Sequence, residues 1–467
     1  MPADPLGRVL EGLPERRVLV VSDRYPPDAA GGAERSLHLM LREEPLRRLA
    51  LVATFDKVLA APERRSVDGV EILALPAPAA WPLHRLSQSE VEALKRRPFG
   101  LKWASFLREV ARDLRDAPVE RARAFGVRIF GRPEGGVAMD HRTSGESGLE
   151  QAIARIVAHV KPDLVHADNA RAIVASAGAL TDVGPPLIAV VRDHRFSTPN
   201  FRQTFDTAGE GGTGGWAAAA AHAFARQALA FRQERLRRAD LVLVTSAHVE
   251  ALVRAAAAPE QMRRRALTPV EPAPVAAAPS EGFNVAVVGS LNANKGQAGL
   301  IEAWPEVLAR RPDATLEIAG EGPDRAALAA LIERLGVAGR VRLLGSVEGA
   351  ERDRLFARSH VVALPTLWEE PFGRVAVEAG AAGRPVVAYA VGGHAETVVD
   401  GVTGRLAPAG DRAAFIDALL ALAEDPDARA RFGDAGRKRA ESYAPKPLAA
   451  GLAEVWREVA RGANTAL

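Results

Sequence analysis

Short runs of apolar, β-branched residues recur along the chain, and each is followed by a stretch with helix-like spacing of apolar positions. Two series of five runs stand apart from each other. They are Val18–Val21, Leu49–Ala53, Leu164–His166, Leu187–Val191 and Leu241–Thr245, then Val285–Val288, Thr315–Ala319, Val341–Leu344, Val361–Leu364 and Pro385–Tyr389. Near-continuous apolar strands that alternate with helices are typical of a parallel sheet covered on both faces. The pattern therefore predicts an α/β protein made of two doubly wound, Rossmann-like domains.

A stretch rich in proline and alanine, Thr268–Ser280, separates the two series and lacks helical periodicity. Such a composition is typical of a semi-extended linker, so we place the domain boundary there. The first domain is expected at residues 1–270 and the second at residues 283–444. A basic segment at 81–148 interrupts the first domain and is interpreted as an insertion. The last helix, 445–467, has one apolar face and is expected to pack back on the first domain.

Composition supports a globular protein of two domains. The chain has 467 residues, of which 48% are hydrophobic and 25% charged, whereas single domains usually hold about 100–200 residues. It has no cysteine, which excludes disulfides, thiolate metal sites and cysteine nucleophiles. Neither a signal-like segment nor a run of about 20 apolar residues occurs, so we expect a cytoplasmic location.

The charge distribution is nearly balanced, with a formal net charge of +3 at pH 7. The first half is mildly basic and the second mildly acidic. This asymmetry suits either an ordinary solvated surface or contact with an anionic acceptor or the inner face of a membrane. It is too weak for a nucleic-acid-binding stripe, so we expect no nucleic-acid partner.

The densest chemical signal is the segment Pro365–Glu378, PTLWEEPFGRVAVE, which follows a buried strand and opens a helix. A strand-to-helix turn of a doubly wound sheet lies at the carboxyl ends of the strands, where ligands bind. Free amides of Gly373, Arg374 and Val375 at the start of the helix suit hydroxyls or an anion. The segment is therefore predicted to form part of a binding site.

Two glutamates frame this turn, Glu370 just before the helix and Glu378 inside it. Carboxylates accept paired hydrogen bonds, so one can take sugar hydroxyls while the other chelates a ribose diol. The alternative is an acid favoured by the helix dipole together with a solvated glutamate, with a ligand for neither. The two residues alone leave both interpretations open.

The same segment, with EAGAAGRPVVAYAVGGHAETVVDGVTGRL after it, resembles the donor domain of family-4 retaining glycosyltransferases of the GT-B fold. The resemblance extends through VVGSLNANKG, AGEGPDR and VRLLGSVEGAERDRLF and covers nearly all of residues 283–444. That family carries two glutamates separated by seven residues, and Glu370 and Glu378 match this spacing. The resemblance implies that Glu370 contacts the donor sugar and that Glu378 contacts the ribose.

Further donor-binding roles follow from the resemblance. It implies that the backbone of Phe372, Gly373, Arg374 and Val375 touches the sugar and phosphates. It also implies that Lys295 neutralises the diphosphate leaving group, a task that suits an ammonium on a flexible stem. The family usually has an arginine on the diphosphate directly after the strand glycine, five positions before that lysine. This chain has Ser290 at the corresponding place, beside the strand glycine.

In the first domain, DRYPPDAAGGAER follows the first strand and resembles the family's glycine loop. Gly31 and Gly32 would let backbone amides approach the donor diphosphate from the opposite domain. Many family members have a histidine before the aspartate of a second motif, and this chain has Arg192 before Asp193. Arg192 is therefore a candidate to bind the donor phosphates or the acceptor, and the alternative is a structural pair with Asp193.

The resemblance implies transfer of a sugar from a nucleoside diphosphate sugar to a hydroxyl acceptor with retention at the anomeric carbon. A lipid-linked sugar or a growing glycan is a candidate acceptor. The ten histidines form no close group of ligands along the sequence, so we expect no metal and no cofactor. Two alternatives stay open: a nucleotide-sugar epimerase of the same architecture, and a non-catalytic scaffold that binds sugar nucleotides.

Overall fold

The computed structural model describes the chain in several ranges, namely residues 4–11, 17–27, 32–56, 59, 61–76, 144–181, 183–198, 226, 229–274 and 281–465. Gly31 lies outside the described residues, and so does the predicted insertion apart from residues 144–148.

The first sheet has eight strands in the order β3-β4-β2-β1-β5-β6-β7-β8. Its strands are β1 Val18–Ser22, β2 Ala50–Asp56, β3 Glu63–Val67, β4 Val70–Pro76, β5 Leu164–Asp168, β6 Leu187–Val191, β7 Leu241–Val244 and β8 Met262–Arg264. All neighbours pair in parallel except β3, which runs antiparallel to β4 at the edge. The central strands β1, β2, β5, β6 and β7 are buried along their whole length, because helices cover both faces.

The second sheet has six parallel strands in the order β11-β10-β9-β12-β13-β14. Its strands are β9 Phe283–Val288, β10 Ala314–Ala319, β11 Val341–Gly345, β12 Val361–Leu364, β13 Val386–Tyr389 and β14 Gly404–Ala407. The chain order reverses direction between β9 and β12, so the loops after these two strands flank a topological switch point. Ligands of doubly wound sheets bind at such a point.

Helices connect the strands and cover the sheets. The α-helices are α1 Pro5–Leu10, α2 Gly32–Leu41, α3 Leu46–Leu49, α4 Ser144–Val160, α5 Ala170–Ala179, α6 Ala247–Val253, α7 Gln297–Arg310, α8 Arg325–Arg334, α9 Ala350–Ala357, α10 Arg374–Ala381, α11 His394–Thr397, α12 Arg412–Glu424, α13 Pro426–Glu441 and α14 Pro445–Thr465. Residues 229–236 are also helical. Aspartate side chains cap two of the described α-helices: Asp411 accepts from the Ala414 amide at 3.0 Å and Asp425 from the Ala428 amide at 2.7 Å.

The C-terminal helix α14 lies on the first sheet. Leu452, Val455 and Trp456 are buried in one core cluster with residues of β1, β2 and α2. The Trp456 indole nitrogen also donates to Nδ1 of His166, a buried residue of β5, at 3.2 Å. The helix therefore returns the chain to the first domain after the second sheet is complete.

The prediction of two doubly wound α/β domains is confirmed, and each of the ten predicted runs forms a strand. The prediction missed β3, β4, β8 and β14. Strand β3 has the sequence ERRSV and β8 the sequence MRR, and polar edge strands of this kind carry no buried apolar run. Among the described residues, no helix is long and apolar enough to span a bilayer.

Candidate active site between the two sheets

The carboxyl ends of the first sheet meet the loop between β12 and α10 of the second. His194, just after β6, contacts the Glu369 carbonyl through Nε2 at 2.7 Å. The Ser246 hydroxyl, just after β7, donates to the Pro371 carbonyl at 2.5 Å. Residues 369–373, which we call the donor loop, therefore lie against the first domain, and the predicted site is at the junction of the two sheets.

Close backbone approach shapes the donor loop. Gly373 caps α10 with φ 85°, and a Cβ there would lie 2.5 Å from Cδ2 of His394, so any side chain would clash. The Gly393 amide donates to the Glu370 carbonyl at 2.6 Å, and a Cβ on Gly393 would lie 2.5 Å from the Phe372 Cα. Glycine at both positions lets the loop after β13 support the donor loop and hold Glu370 at the start of α10.

Glu370 forms an ion pair with Lys295. Lys295 ends a short 3₁₀ helix after β9, and the Asn294 carbonyl beside it accepts from the Thr366 hydroxyl at 2.9 Å and the Leu367 amide at 3.0 Å. These bonds tie the loop after β9 to the loop after β12. The side chains of Lys295 and Glu370 are 27% and 19% exposed, so a ligand can reach the pair.

Glu378 lies one turn inside α10 and is buried. Its Oε1 accepts from Arg352 at 2.9 Å and from Arg374 at 2.8 Å, so two guanidinium groups share one carboxylate oxygen. Sequence reasoning missed Arg352. It lies on α9, and the only signal was a basic residue near the start of the helix that follows GSVEG.

Arg374 also crosses the domain junction. Its NH1 donates to the Gly32 carbonyl at 3.2 Å and contacts the Ser36 hydroxyl at 3.1 Å, both on α2. Gly32, predicted as part of a diphosphate-binding glycine loop, begins α2. The structure thus brings Gly32, Arg374 and Glu378 into one connected group.

His394 lies behind the donor loop and is buried. Burial, assisted by the charge of Lys295 and opposed by that of Glu370, lowers the pKa of His394 from its ordinary 6.5 to about 4. The imidazole is therefore neutral at pH 7 and adds no positive charge beside Lys295.

Ser290 lies two residues beyond β9 and is exposed. Its hydroxyl accepts from Asn292 at 2.9 Å, and its carbonyl accepts from Gln297 at 3.0 Å. The position at which the family pattern has an arginine thus holds a neutral hydroxyl.

Arg192 is paired with Asp168, not with Asp193. Its Nε and NH2 donate to the two Asp168 oxygens at 2.6 and 2.7 Å, and its NH1 donates to the Leu267 carbonyl at 2.8 Å. Burial opposes ionisation of Asp168, but the charge and hydrogen bonds of Arg192 outweigh it and hold the pKa of that carboxyl below its ordinary value. Asp193 instead caps a 3₁₀ helix by accepting from the Arg195 amide at 3.0 Å. Arg192 therefore forms a structural pair, but the predicted partner Asp193 was wrong and the partner is Asp168.

Two histidines of the first domain meet the donor loop. The His194 ring lies against Trp368 and His248, with ring centroids 4.9 and 5.4 Å apart. His248 Nε2 lies 4.0 Å from a carboxylate oxygen of Glu369. Burial, partly opposed by the charge of Glu369, lowers the pKa of His248. Sequence spacing did not predict this grouping, because the three positions lie on separate elements of both domains.

Comparisons with known proteins agree with this architecture. Residues 274–439 match the family described as glycosyl transferases group 1. The chain is 37% identical over 182 residues to a D-inositol 3-phosphate glycosyltransferase of Corynebacterium diphtheriae, which covers 38% of this chain and 42% of that protein. It is 34% identical over 183 residues to a phosphatidyl-myo-inositol mannosyltransferase of Mycolicibacterium smegmatis, covering 39% and 46%. The match thus spans less than half the length of each of these relatives.

Solved structures share the whole fold. Anabaena HepE in complex with UDP superposes with a TM-score of 0.62 at 20% identity, over 95% of this chain and 100% of that chain. A sucrose-phosphate synthase from Thermosynechococcus elongatus superposes with a TM-score of 0.64 at 18% identity, over 95% and 99%. These likenesses identify the arrangement of the two domains as the GT-B fold.

Proposed function

We propose that this chain, whose residues 274–439 form a domain of the glycosyl transferases group 1 family, transfers a sugar from a nucleoside diphosphate sugar to a hydroxyl acceptor with retention. The observation that carries the proposal is the ion pair between Lys295 and Glu370, partly exposed where the second sheet meets the first. A cation beside a carboxylate suits a substrate with an anionic leaving group next to a polyhydroxylated ring.

In the proposed reaction, the Lys295 ammonium exchanges Glu370 for the diphosphate oxygens and stabilises the charge that develops on them. Glu370 then becomes free to accept hydrogen bonds from hydroxyls of the transferring sugar and to orient it. The amides at the start of α10 add fixed donors on the same side. Catalysis rests on positioning and charge stabilisation, and the leaving diphosphate accepts the proton of the acceptor hydroxyl.

Glu378 is proposed to bind the ribose. Arg352 and Arg374 both occupy its Oε1, which leaves Oε2 as the oxygen for a ribose hydroxyl. Both contacts come from guanidinium groups, and charge-assisted hydrogen bonds of this kind fix the carboxylate more firmly than neutral ones. The ribose contact is therefore proposed to use one carboxylate oxygen and not both.

The acceptor side is proposed to lie on the first domain, with a hydroxyl of a lipid-linked sugar or a growing glycan as the acceptor class. Arg192 is engaged by Asp168 and by the Leu267 carbonyl. We therefore propose that Arg192 shapes the wall of the cleft and does not itself bind the donor phosphates or the acceptor.

A thermal-shift screen against uridine, guanosine and adenosine diphosphate sugars tests the donor. A ligand at 100 times its dissociation constant stabilises the folded protein by about 2.7 kcal/mol, and we expect such a shift for at least one donor. Lys295→Met, which keeps an unbranched side chain of similar length and removes its charge, should lose the shift.

Product analysis then separates the candidate activities. Transfer predicts a glycosylated acceptor and a nucleoside diphosphate, whereas an epimerase would release a free sugar or an epimer without an acceptor. A donor that binds without turnover against any acceptor would favour the scaffold. Absence of a shift with every donor would contradict both the transferase and the scaffold.

A further inference from the structure

Three potential metal ligands meet where the two domains touch. One ring nitrogen of His194, one of His248 and one carboxylate oxygen of Glu369 lie within 4.8 Å of one another. The two histidines belong to the first domain and the glutamate to the donor loop. The grouping therefore exists only when the two domains are in contact.

The fold fixes the two histidines side by side. Strands β6 and β7 are adjacent and parallel, with Val191 opposite Val244, so the residues that follow them emerge at the same edge. The Glu396 carboxylate, from the second domain, accepts from the His248 amide at 3.1 Å and from the Ala247 amide at 2.9 Å. This contact holds the start of α6, and with it His248, against the donor loop.

The rings of both histidines have buried nitrogen atoms without a hydrogen-bond partner, Nδ1 of His194 and Nε2 of His248. His194 is only 1% exposed. Buried polar side-chain atoms are nearly always hydrogen-bonded, so two orphan imidazole nitrogens in one place indicate a missing partner.

The hydrogen bond of His194 agrees with a metal-binding tautomer. Its Nε2 lies 2.7 Å from the Glu369 carbonyl, which can only accept, so Nε2 carries the proton and Nδ1 carries the free lone pair. Histidines that bind metals commonly donate the other ring N–H to a backbone carbonyl in this way. His248 offers Nε2, its buried ring nitrogen without a hydrogen-bond partner.

Glu369 can supply the third ligand. Its side chain is 44% exposed and its Oε2 lies 4.0 Å from His248 Nε2. Zinc bonds to nitrogen and oxygen are about 2.0–2.2 Å long, so a small rotation of this exposed side chain would bring both atoms within reach of one ion.

We propose that His194, His248 and Glu369 bind a borderline divalent transition-metal ion, such as Zn²⁺, that bridges the two domains. Two imidazole nitrogens favour such ions over Mg²⁺ or Ca²⁺, which prefer oxygen ligands. Three protein ligands leave a fourth position for water or a substrate group. The ion would hold the donor loop against the first domain, one residue from Glu370, and takes no step in the transfer reaction. The proposal does not rest on the proposed function.

Metal titration of the full chain tests the site. After treatment with EDTA and desalting, Co²⁺ is added while visible absorption is recorded, and Zn²⁺ binding is measured by calorimetry. We expect one Co²⁺ per chain, with the intense absorption bands of a four-coordinate ion, and displacement of Co²⁺ by Zn²⁺. Mg²⁺ should neither compete nor produce heat.

Variants locate the binding. His248→Gln and Glu369→Gln should each weaken Zn²⁺ binding at least tenfold, whereas the control His159→Gln, at an exposed position on α4, should bind as the native chain does. Circular dichroism in EDTA shows whether each variant folds. If His248→Gln does not fold, the affinity of Glu369→Gln for Zn²⁺ tests the proposal. Absence of Zn²⁺ binding to the native chain would overturn the proposal, as would equal affinity in native and Glu369→Gln protein, which would indicate binding elsewhere on the surface.

Discussion

Two ion pairs near the junction, one on each domain, differ in how far they are exposed. On the second domain, Lys295 and Glu370 are 27% and 19% exposed and meet through a single pair of atoms. On the first domain, Arg192 and Asp168 are 7% and 2% exposed and meet through two parallel hydrogen bonds. A ligand can reach the pair of Lys295 and Glu370, whereas the pair of Arg192 and Asp168 is buried.

This difference in exposure indicates which ion pair can bind a ligand and which one supports the fold. A partly exposed pair contributes little to stability, so a ligand can replace one partner at low cost. A buried bidentate pair cannot exchange its partner without leaving a desolvated charge behind. Under the proposed function, the exposed pair on the second domain supplies charges for the donor, and the buried pair on the first domain supports the wall of the cleft.

The largest expected effect is the loss of stability when the buried pair of Arg192 and Asp168 is broken. Arg192→Ala leaves the Asp168 carboxylate buried without its cation, and breaking such a pair typically costs about 3–5 kcal/mol. Chemical denaturation measures the change in the free energy of unfolding. In an Asp168→Asn background the same substitution should cost much less, because the two residues act as one unit. Full stability of Arg192→Ala with loss of donor binding would restore Arg192 to the donor site.

The pH dependence of stability should also distinguish the two regions. The pKa of His394 is about 4 in the folded chain and ordinarily 6.5, so the unfolded chain binds the extra proton first. The contribution of neutral His394 to stability is therefore complete above pH 6.5. The free energy of unfolding falls by up to about 3 kcal/mol as the pH drops from 6.5 to 4. The pKa of Asp168 is lowered from 3.8, so its contribution is lost only below about pH 4.

Denaturation at a series of pH values tests this separation. His394→Gln should flatten the curve between pH 6.5 and 4 and leave the fall below pH 4, while His159→Gln, an exposed control, should leave both parts. An unchanged slope in His394→Gln would show that His394 does not titrate as its burial implies.

Glu370→Gln should lower turnover about a hundredfold, equivalent to about 2.7 kcal/mol, because orientation of the reacting sugar is worth several kcal/mol. The fold should stay intact, since the pair with Lys295 is partly exposed. Steady-state kinetics with the donor found by thermal shift measures the effect. Glu302→Gln, on the exposed side of α7, is the control for loss of a surface carboxylate. Near-native turnover of Glu370→Gln would remove the catalytic role.

The smallest expected effect concerns Ser290 and Arg374. A charge-assisted hydrogen bond contributes about 1.5–3 kcal/mol, so Ser290→Arg should tighten donor binding about tenfold. If Arg374 supplies the missing charge in the native chain, Arg374→Ala should weaken donor binding strongly there and much less in Ser290→Arg. Calorimetry of nucleoside diphosphate binding gives the four affinities, with Arg412→Ala, exposed on α12, as the control. Equal losses in both backgrounds would contradict compensation by Arg374.

Strand pattern and short-range motifs carried most of what could be predicted. Ten strands were evident because each combines a β-branched run with a flanking turn, and these signals are local. The roles proposed for Glu370, Glu378 and Lys295 were suggested by motifs in which the spacing itself conveys the geometry. Edge strands such as β3 escaped notice because they bury few side chains and carry polar residues.

The sequence by itself determined that this chain forms two Rossmann-like domains, and its motifs predicted a donor site on the second domain. Only the tertiary structure decided which side chains pair with one another at the junction of the domains. Arg352 meets Glu378 across 26 residues, and Arg192 meets Asp168 across 24 residues. His194 meets the donor loop across 175 residues. Partner choice depends on which strand ends become neighbours and how two domains dock, and no local pattern encodes either, because both arise from burial summed over the whole molecule.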